Sequence, residues 1–383
     1  MDKKSKPLSL YIHFPFCTKK CRYCDFYSIS TASETIEPYI NALKTEWEQI
    51  KRKYLLENTV IRTIYCGGGT PSLLSVEQWQ LFCAEIIENL TITNDAERTI
   101  ECNPDSFSTE KAETWLDSGV NRITIGVQSL NKRGLTALGR VHTAENALDV
   151  LSNPALKRFD SVGVDIMYGI PGQSLNSLAY TLEEIFSYKN IHHLSAYELT
   201  IEKYTPFGRH SKLLPLPSED SVAEMTQLIL SESRKHGFER YEISNYSKPG
   251  FECRHNMAYW DHSPYIGLGA AAHSYIDNHR YANVKSVDAY IQKCATGELP
   301  AEFSETINLE TLAREMIFLR LRTREGLDEN RFQKLTGRTF TSPEREKRLA
   351  ELAEAKYLDY TPPFWRLTDS GMLIADAVTR RLL

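Results

Sequence analysis

Cys17-Thr-Lys-Lys-Cys21-Arg-Tyr-Cys24 directly follows an apolar run, Leu8 to Phe14, that has the pattern of a buried strand. Three soft thiolates this close together can bind three irons of a 4Fe-4S cluster and leave the fourth iron open for another ligand. A structural zinc site normally has four ligands, often in two paired units, and no matching second pair is obvious in this sequence. The spacing therefore predicts a 4Fe-4S cluster bound by Cys17, Cys21 and Cys24.

Five more strand-like runs follow, separated by helical patterns rather than by tight hairpin turns, which predicts parallel strands. The predicted strands are 8–14, 60–66, 98–103, 122–128, 160–167 and 193–200, and the predicted helices are 37–54, 75–90, 109–117, 143–151, 174–188 and 219–236. Six repeats are too few for a closed eight-stranded barrel. They fit an α/β fold of the incomplete (β/α)6 TIM-like barrel type, with the active site at the carboxyl ends of the strands, and a doubly wound sheet is the alternative.

The remaining sequence predicts a division into a core at 1–240, a connecting segment at 241–300 and a smaller C-terminal domain at 301–383. From about Val287 onward the pattern is nearly all helical. A short hairpin is expected over Tyr357 to Leu367, around Pro362-Pro363, and a last helix follows it. Helices followed by such a hairpin indicate a helical, winged-helix-like domain.

The composition is that of an ordinary soluble globular protein. The 383 residues are 42% hydrophobic and 25% charged, with a net charge of −5, so no overall basic field favours nucleic acid or anionic lipid. Lys3, Lys4 and Lys6 are expected to lie in a solvent-exposed N-terminal segment. With no apolar run long enough for a signal peptide or a membrane span, we expect a cytoplasmic protein without a transmembrane segment. The cysteines are expected to be thiols rather than disulfides, and five are expected to be buried without metal: Cys66, Cys83, Cys102, Cys253 and Cys294.

Glycine and polar side chains follow several of the predicted strands. Gly67-Gly68-Gly69-Thr70 comes after the second strand, and glycines let the backbone approach a ligand closely. In the third strand Glu101 and Asn103 share one face, and in the fourth Gly126 and Gln128 do, because strand side chains alternate. Arg140 and Asp165 complete the set. Each polar residue alone also fits an ordinary structural hydrogen bond, so the prediction of a ligand pocket depends on their occurring together.

The cysteine spacing, followed by Asp25-Phe26, resembles the signature of the radical S-adenosylmethionine (SAM) superfamily. The resemblance implies that the open iron binds the amino and carboxylate groups of SAM. It also implies a one-electron cleavage of SAM to a 5′-deoxyadenosyl radical. Such cleavage needs a strongly reducing cluster and therefore a flavodoxin- or ferredoxin-type electron donor.

The polar residues at the strand ends resemble, in the same order, the SAM-contacting residues of the oxygen-independent coproporphyrinogen oxidase family. This resemblance is strong to about residue 240 and less specific beyond it. It implies that Tyr11 lies beside the cofactor and that the backbone of Tyr23 meets the adenine. The SAM contacts implied in full are Tyr11, Tyr23, Gly68, Gly69, Thr70, Glu101, Gln128, Arg140 and Asp165.

Two branches of that family compete for this sequence. True oxidases, which convert two propionates of coproporphyrinogen III to vinyl groups, carry a fourth cysteine where this chain has Phe26, and they have a longer segment before the cluster strand. The other is the HemW-type branch of heme chaperones, which bind heme and pass it to acceptor proteins.

His255-Asn256-Met-Ala-Tyr259-Trp260 resembles the HNxxYW segment associated with heme in the chaperone branch. A neutral imidazole is a common axial ligand of heme iron, and Tyr and Trp have flat faces that suit a porphyrin. Outside the family context the same segment fits a packed loop. His13 and His273 are further candidates. The sequence thus predicts a heme chaperone, with an oxidase as the first alternative and a non-catalytic iron-sulfur protein that never uses SAM as the second.

Overall fold

Seven parallel strands form the centre of one twelve-stranded sheet. The computed structural model describes residues 7–30 and 33–383, so the lysines at positions 3, 4 and 6 lie outside the described residues. The strands are β1 (Leu8–Phe14), β2 (Phe16–Cys17), β3 (Ile29–Ser30), β4 (Ile61–Gly68), β5 (Ile92–Cys102), β6 (Arg122–Gln128), β7 (Ser161–Tyr168), β8 (His193–Glu198), β9 (Glu239–Arg240), β10 (Asn245–Ser247), β11 (Tyr265–Leu268), β12 (His273–Ile276), β13 (His279–Asn283), β14 (Ala301–Thr306), β15 (Leu327–Asp328), β16 (Leu358–Thr361) and β17 (Phe364–Leu367).

The helices lie mostly between these strands. They are α1 (Ile36–Tyr54), α2 (Val76–Glu85), α3 (Thr109–Asp117), α4 (Lys132–Leu138), α5 (Ala144–Ser152), α6 (Leu175–Ser187), α7 (Pro206–Arg209), α8 (Glu219–Lys235), α9 (Arg254–Trp260), α10 (Val287–Ala295), α11 (Leu309–Arg320), α12 (Glu329–Thr336), α13 (Pro343–Glu354), α14 (Asp369–Leu373) and α15 (Ala375–Leu382). Several begin with a capping hydroxyl. Ser75, Thr143 and Ser174 each accept a hydrogen bond from the backbone three residues on, which satisfies an amide that the first helical turn leaves unpaired.

The order of the strands decides between the two predicted architectures. The central strands run β1-β4-β5-β6-β7-β8, each next to its predecessor, so the connections progress in one direction around the sheet. A doubly wound sheet would reverse direction at a switch point. The sheet is therefore an open, incomplete (β/α)6 barrel of the TIM type, as predicted, and the carboxyl ends of its parallel strands meet at one rim.

The two faces of the barrel differ in polarity. Along β7, Val162, Val164 and Ile166 are fully buried against the surrounding helices, whereas Asp165 and the residues two positions before and after it point inward. The same alternation places the carboxylate of Glu101 on the inner face of β5. The inner face therefore carries the polar side chains, and the hydrophobic core lies between the sheet and the helices.

The prediction of a nearly all-helical chain from about Val287 onward is wrong at two strands, β14 and the two-residue β15. β14 (Ala301–Thr306) pairs antiparallel with β13 and forms the edge of the main sheet. Its side chains are mostly exposed, so it lacks the apolar alternation that marks a buried strand. Segment 241–300 also contributes β10 to β13 and α10 to the main sheet and its core.

The C-terminal region packs around a second hydrophobic cluster, which includes Phe332 and Phe340. The predicted hairpin is confirmed as β16 and β17, which turn at Pro362-Pro363 and pair with β15 in a three-stranded sheet. Helices α11 to α13 precede this sheet. Several contacts connect the region to the barrel; among them, Arg320 donates a hydrogen bond to Asp261, and Glu242 bridges to Thr323.

Candidate functional site

A pocket of about 580 Å³ opens at the carboxyl ends of the parallel strands. The loop after β1 forms one side of it, and the ends of β4 to β8 form the floor. Nearly all of the predicted cluster and SAM residues line it, namely Cys17, Cys21, Cys24, Tyr23, Gly68, Gly69, Thr70, Glu101, Gln128, Arg140 and Asp165. Tyr11 does not. The grouping follows from the fold, because most of these residues lie at or near the carboxyl end of a strand, and Arg140 follows α4, the helix after β6.

A chain of hydrogen bonds joins two of the three cysteines. Arg140 donates through one Nη to Cys21 Sγ, at 3.5 Å, and through the other to Asn103 Oδ1. Asn103 Nδ2 donates to Thr70 Oγ1 at 3.0 Å, and Thr70 Oγ1 donates to Cys17 Sγ at 3.7 Å. Each end of the chain is a hydrogen bond donated to a sulfur, an arrangement that suits thiolate ligands of a metal cluster. Asn103, which the sequence placed on the inner face but not among the ligand residues, is the link.

Glu101 on β5 is held by two groups of the neighbouring strand β4. Its two oxygens accept hydrogen bonds from Tyr65 Oη at 2.8 Å and from the backbone N–H of Gly68 at 3.0 Å. Burial raises the pKa of this carboxyl group, and the two hydrogen bonds oppose that rise. Tyr65 was not predicted, although alternation along β4 places it on the inner face together with Gly67.

Positions 68 and 69 require glycine, because neighbouring atoms lie too close to the backbone there for any side chain to fit. Gly68 has φ +103°, and a Cβ there would lie 2.2 Å from His13 Nδ1 and 2.9 Å from the hydroxyl of Tyr11. At Gly69 a Cβ would lie 2.5 Å from the carbonyl oxygen of Phe14. No side chain fits at either position, so the backbone itself forms this wall of the pocket.

Two further lining residues have unsatisfied or strained geometry. Gln128 has φ +63°, a left-handed conformation that is uncommon for a residue other than glycine and that recurs at functional sites. Asp165 Oδ1 is buried and has no hydrogen-bond partner among the described residues. Burial raises the pKa of Asp165 to about 7, against the effect of a hydrogen bond from Ser195. A buried acceptor that faces a pocket without a partner fits a site for a hydrogen-bonding ligand.

The two aromatic residues predicted beside SAM take different places. Tyr23 lines the pocket, and burial raises the pKa of its hydroxyl. Tyr11 lies behind Gly68, where its hydroxyl hydrogen-bonds to His13 Nδ1 at 2.9 Å. The ring of His13 also bonds to the carbonyl of Tyr27 at 2.9 Å, and burial lowers its pKa to about 4. Tyr11 and His13 thus support the wall from behind.

The HNxxYW segment forms α9, which lies away from the pocket. His255 is only 1% exposed, and both ring nitrogens are engaged, Nδ1 with Thr63 Oγ1 and Nε2 with Tyr259 Oη, each at 2.8 Å. Burial lowers its pKa to about 3, so the imidazole is neutral. Asn256 and Trp260 are half-buried on the same helix, and His273 is exposed. In this conformation His255 has no free nitrogen for a metal.

His255 is nevertheless connected to the pocket through an aromatic residue. The ring of Tyr65 stacks on that of His255 with a centroid separation of 5.1 Å, and the hydroxyl of Tyr65 bonds to Glu101. Tyr11 lies 6.3 Å from His255 between ring centroids. A displacement of α9 would therefore change the surroundings of a side chain that lines the pocket.

The cysteine loop fits a cluster better than a single metal ion. Within residues 7–30 and 33–383, no three His, Cys, Asp or Glu side chains converge on a point that could hold one ion. A 4Fe-4S cluster requires less convergence, because each thiolate binds a different iron. All three cysteines are partly exposed free thiols, whereas the other five are buried free thiols, as predicted. Phe26, at the position of the oxidases' fourth cysteine, is 67% exposed at the pocket rim.

Two family models match the chain. The radical SAM superfamily matches residues 11–185, and the HemN C-terminal domain matches residues 307–374. The structure of coproporphyrinogen III oxidase (HemN) from Escherichia coli, a radical SAM enzyme, is similar with a TM-score of 0.85. That similarity covers 99% of this chain and 90% of that chain at 23% identity, and it shows a shared fold. In the described part of the chain, no helix is long and apolar enough to cross a membrane.

Curated relatives match over nearly their whole length. Proteins named heme chaperone HemW from Lactococcus lactis subsp. lactis and from Bacillus subtilis are each 34% identical to this chain. The first match covers 99% of this chain and 98% of the relative, and the second covers 97% of each. The heme chaperone HemW of Escherichia coli is 32% identical over 99% of both chains. The chain therefore belongs to the HemW family of heme chaperones within the radical SAM superfamily.

Proposed function

We propose that this chain carries heme to proteins that need it, with a 4Fe-4S cluster on Cys17, Cys21 and Cys24 and SAM in the adjoining pocket. The observation that carries the proposal is the match to proteins named heme chaperones over 97–99% of this chain, both barrel and C-terminal region included. Phe26 supports it, since the oxidases' fourth thiol is missing at that position.

The residues at the pocket suit the proposed cofactors. Arg140 and Thr70 donate toward two of the three thiols, which stabilises thiolates that would bind iron. The unpartnered oxygen of Asp165 is an acceptor for a hydroxyl of SAM, and the side-chain-free backbone at Gly68 and Gly69 leaves room for its methionine part. When bound, the cluster would supply an electron to SAM at the iron that no cysteine occupies.

A cytoplasmic location is part of the proposal. All eight cysteines are free thiols, which is typical of proteins in a reducing compartment. Such a compartment also holds the low-potential protein donors that a 4Fe-4S cluster of this kind requires. The partners proposed are heme, heme-accepting proteins and a flavodoxin- or ferredoxin-type reductant.

Direct transfer of heme tests the proposed function. Heme-loaded protein is mixed with increasing concentrations of a heme-free b-type cytochrome, and separately with apomyoglobin, which captures heme after it is released. A chaperone hands heme over at a rate that rises with cytochrome concentration and exceeds the release rate measured with apomyoglobin. Equal rates that do not depend on acceptor concentration would show passive release and would contradict the proposal.

We propose His255 as the axial ligand of the heme iron, and substitution of this buried histidine tests the assignment. We expect His255→Ala to weaken heme binding about tenfold or more and to shift the heme absorbance, because one iron ligand is lost. We expect His279→Ala, a change at another exposed histidine, to leave both unchanged. Because both nitrogens of His255 are engaged, heme binding should also increase hydrogen exchange in α9. An unchanged spectrum in His255→Ala would assign the ligand to another residue.

A further inference from the structure

Three cations surround a shallow depression next to the cysteine loop. Arg22, Lys132 and Arg133 line it together with Asn131, Thr136 and Ala137. We name these three cations the basic patch. All three are exposed, and among the described residues none of them forms an ion pair. The chain as a whole has a net charge of −5, so a local surplus of positive charge stands out against it.

The patch is attached rigidly to the loop that carries the cysteines. Arg22 follows Cys21 in the chain, and its backbone N–H donates to the carbonyl of Leu138, at the end of α4, at 3.0 Å. Its side chain packs against Gly139, where a Cβ would lie 3.1 Å from Arg22 Cγ. Its carbonyl accepts from the backbone N–H of Phe207 at 3.0 Å. A protein that covers the patch would therefore touch the loop that binds the proposed cluster.

One carboxylate, Glu145, lies near Lys132. Glu145 is close enough for Lys132 to contribute to its lowered pKa, but hydrogen bonds from its own backbone and from Thr143 contribute more. Unpaired cations at an exposed depression attract an acidic partner and guide its approach.

We propose that the basic patch is the docking surface for an acidic one-electron donor protein of the flavodoxin type. This inference rests on the cluster of the proposed function but not on heme transfer. One electron passes from the reduced flavin, which is oxidised, to the cluster, which is reduced; no covalent bond forms or breaks and no other reactant is needed. Because electron transfer requires a short path, a donor that docks beside Cys21 is well placed.

Charge reversal on the patch tests the proposal. The test protein is a double variant that carries Lys132→Glu and Arg133→Glu. The control is a second double variant, Lys334→Glu and Arg338→Glu, which changes the net charge by the same amount at exposed residues of the C-terminal region. Reduced flavodoxin is the probe, and its affinity is measured by calorimetry and its electron transfer by the loss of cluster absorbance. We expect the patch variant to weaken affinity and slow reduction about tenfold or more, and to lose most of the salt dependence of binding. The control should stay within about twofold of the wild type.

Two further measurements distinguish a failure of the docking surface from a failure of the proposed cluster and heme transfer. Reduction by dithionite, a small reductant, should be unchanged in the patch variant, which shows that its cluster is intact. Protein with Cys17, Cys21 and Cys24 replaced by serine should still bind flavodoxin through the patch. Equal affinity in the patch variant and the wild type, or equal weakening in patch and control variants, would overturn the docking surface even if the chain transfers heme.

Discussion

Gly68 illustrates how single residues define the pocket. Its φ of +103° and the position of His13 behind it leave no room for a side chain. We expect Gly68→Ala to lower the free energy of unfolding by roughly 3 kcal/mol, from backbone strain and overpacking together. Gly172→Ala is the matched control, because Gly172 has φ +71° but no heavy atom within 4 Å of a Cβ, and it should cost only about 1 kcal/mol. Urea unfolding of the cluster-free proteins measures both, and equal losses would show that the close approach to His13 is unimportant.

Thr70 is the donor at the other end of the hydrogen-bond chain from Arg140. A hydrogen bond to sulfur stabilises the reduced cluster more than the oxidised one, because the reduced cluster carries more negative charge. Thr70→Val keeps the shape and removes the donor, so the reduction potential should fall by on the order of 40 mV, equivalent to about 1 kcal/mol for one electron.

The measurement for Thr70 is a redox titration of the reconstituted protein followed by electron paramagnetic resonance. Thr99→Val, the same change at a buried threonine of β5, removes a hydroxyl that has no hydrogen-bond partner among the described residues and should leave the potential unchanged. A potential that stays the same in Thr70→Val would mean that Thr70 does not bond to a cluster ligand.

Among the secondary-structure elements, α1 is joined to the strands that follow α9 by a buried carboxylate. Glu46 is fully buried and accepts hydrogen bonds from the backbone of Gly269 at 2.8 Å and from Asn283 and Tyr290 at 2.6 Å. Burial raises the pKa of Glu46 from 4.5 to about 7, and these hydrogen bonds only partly oppose the rise. The described groups that bond to Glu46 are all uncharged, so the folded protein keeps its carboxyl protonated up to about pH 7.

This pKa shift gives stability a predictable pH dependence. Below about pH 4.5 the carboxyl is protonated in both states, and between about pH 4.5 and 7 the unfolded chain releases a proton that the folded chain keeps. The wild type should therefore lose up to about 3 kcal/mol of unfolding free energy over that range through Glu46. Glu46→Gln should remove this part of the loss, whereas Glu48→Gln, at a half-exposed position of α1, should not. Unfolding by urea at pH 5 and pH 8 tests the difference, and parallel losses in all three proteins would contradict it.

The sequence predicted the elements that form the rim but not those that flank them. β1, β6 and α3 have the predicted bounds, because their apolar periodicity is strong and a proline or polar residues follow each of them. β9 to β14 have only two to six residues each, and β10 and β11 also pair with the distant strands β8 and β1, so local patterns distinguish them poorly from loops. The same limit applies to α9: the sequence marked its residues, but only tertiary packing determines that His255 is buried against Tyr65.

For the molecule as a whole, the barrel and the C-terminal region meet at the residue that follows α9. Asp261 accepts from Arg320, and its carbonyl accepts from Arg331 at 2.8 Å. The helix that carries His255 is thus held between the pocket on one side and the C-terminal region on the other. This arrangement follows from long-range contacts, so it could not be read from the sequence, whereas the grouping of cysteines and polar residues at one rim could.

The most direct test of a heme chaperone against an oxidase is an anaerobic incubation with coproporphyrinogen III. Reconstituted protein receives SAM and a low-potential reductant, the coproporphyrinogen III oxidase of Escherichia coli is run in parallel, and the porphyrins are separated by chromatography. The account predicts no conversion by this chain while the control enzyme is active. Protoporphyrinogen formed over many turnovers would contradict it, and would show that Phe26 does not prevent decarboxylation.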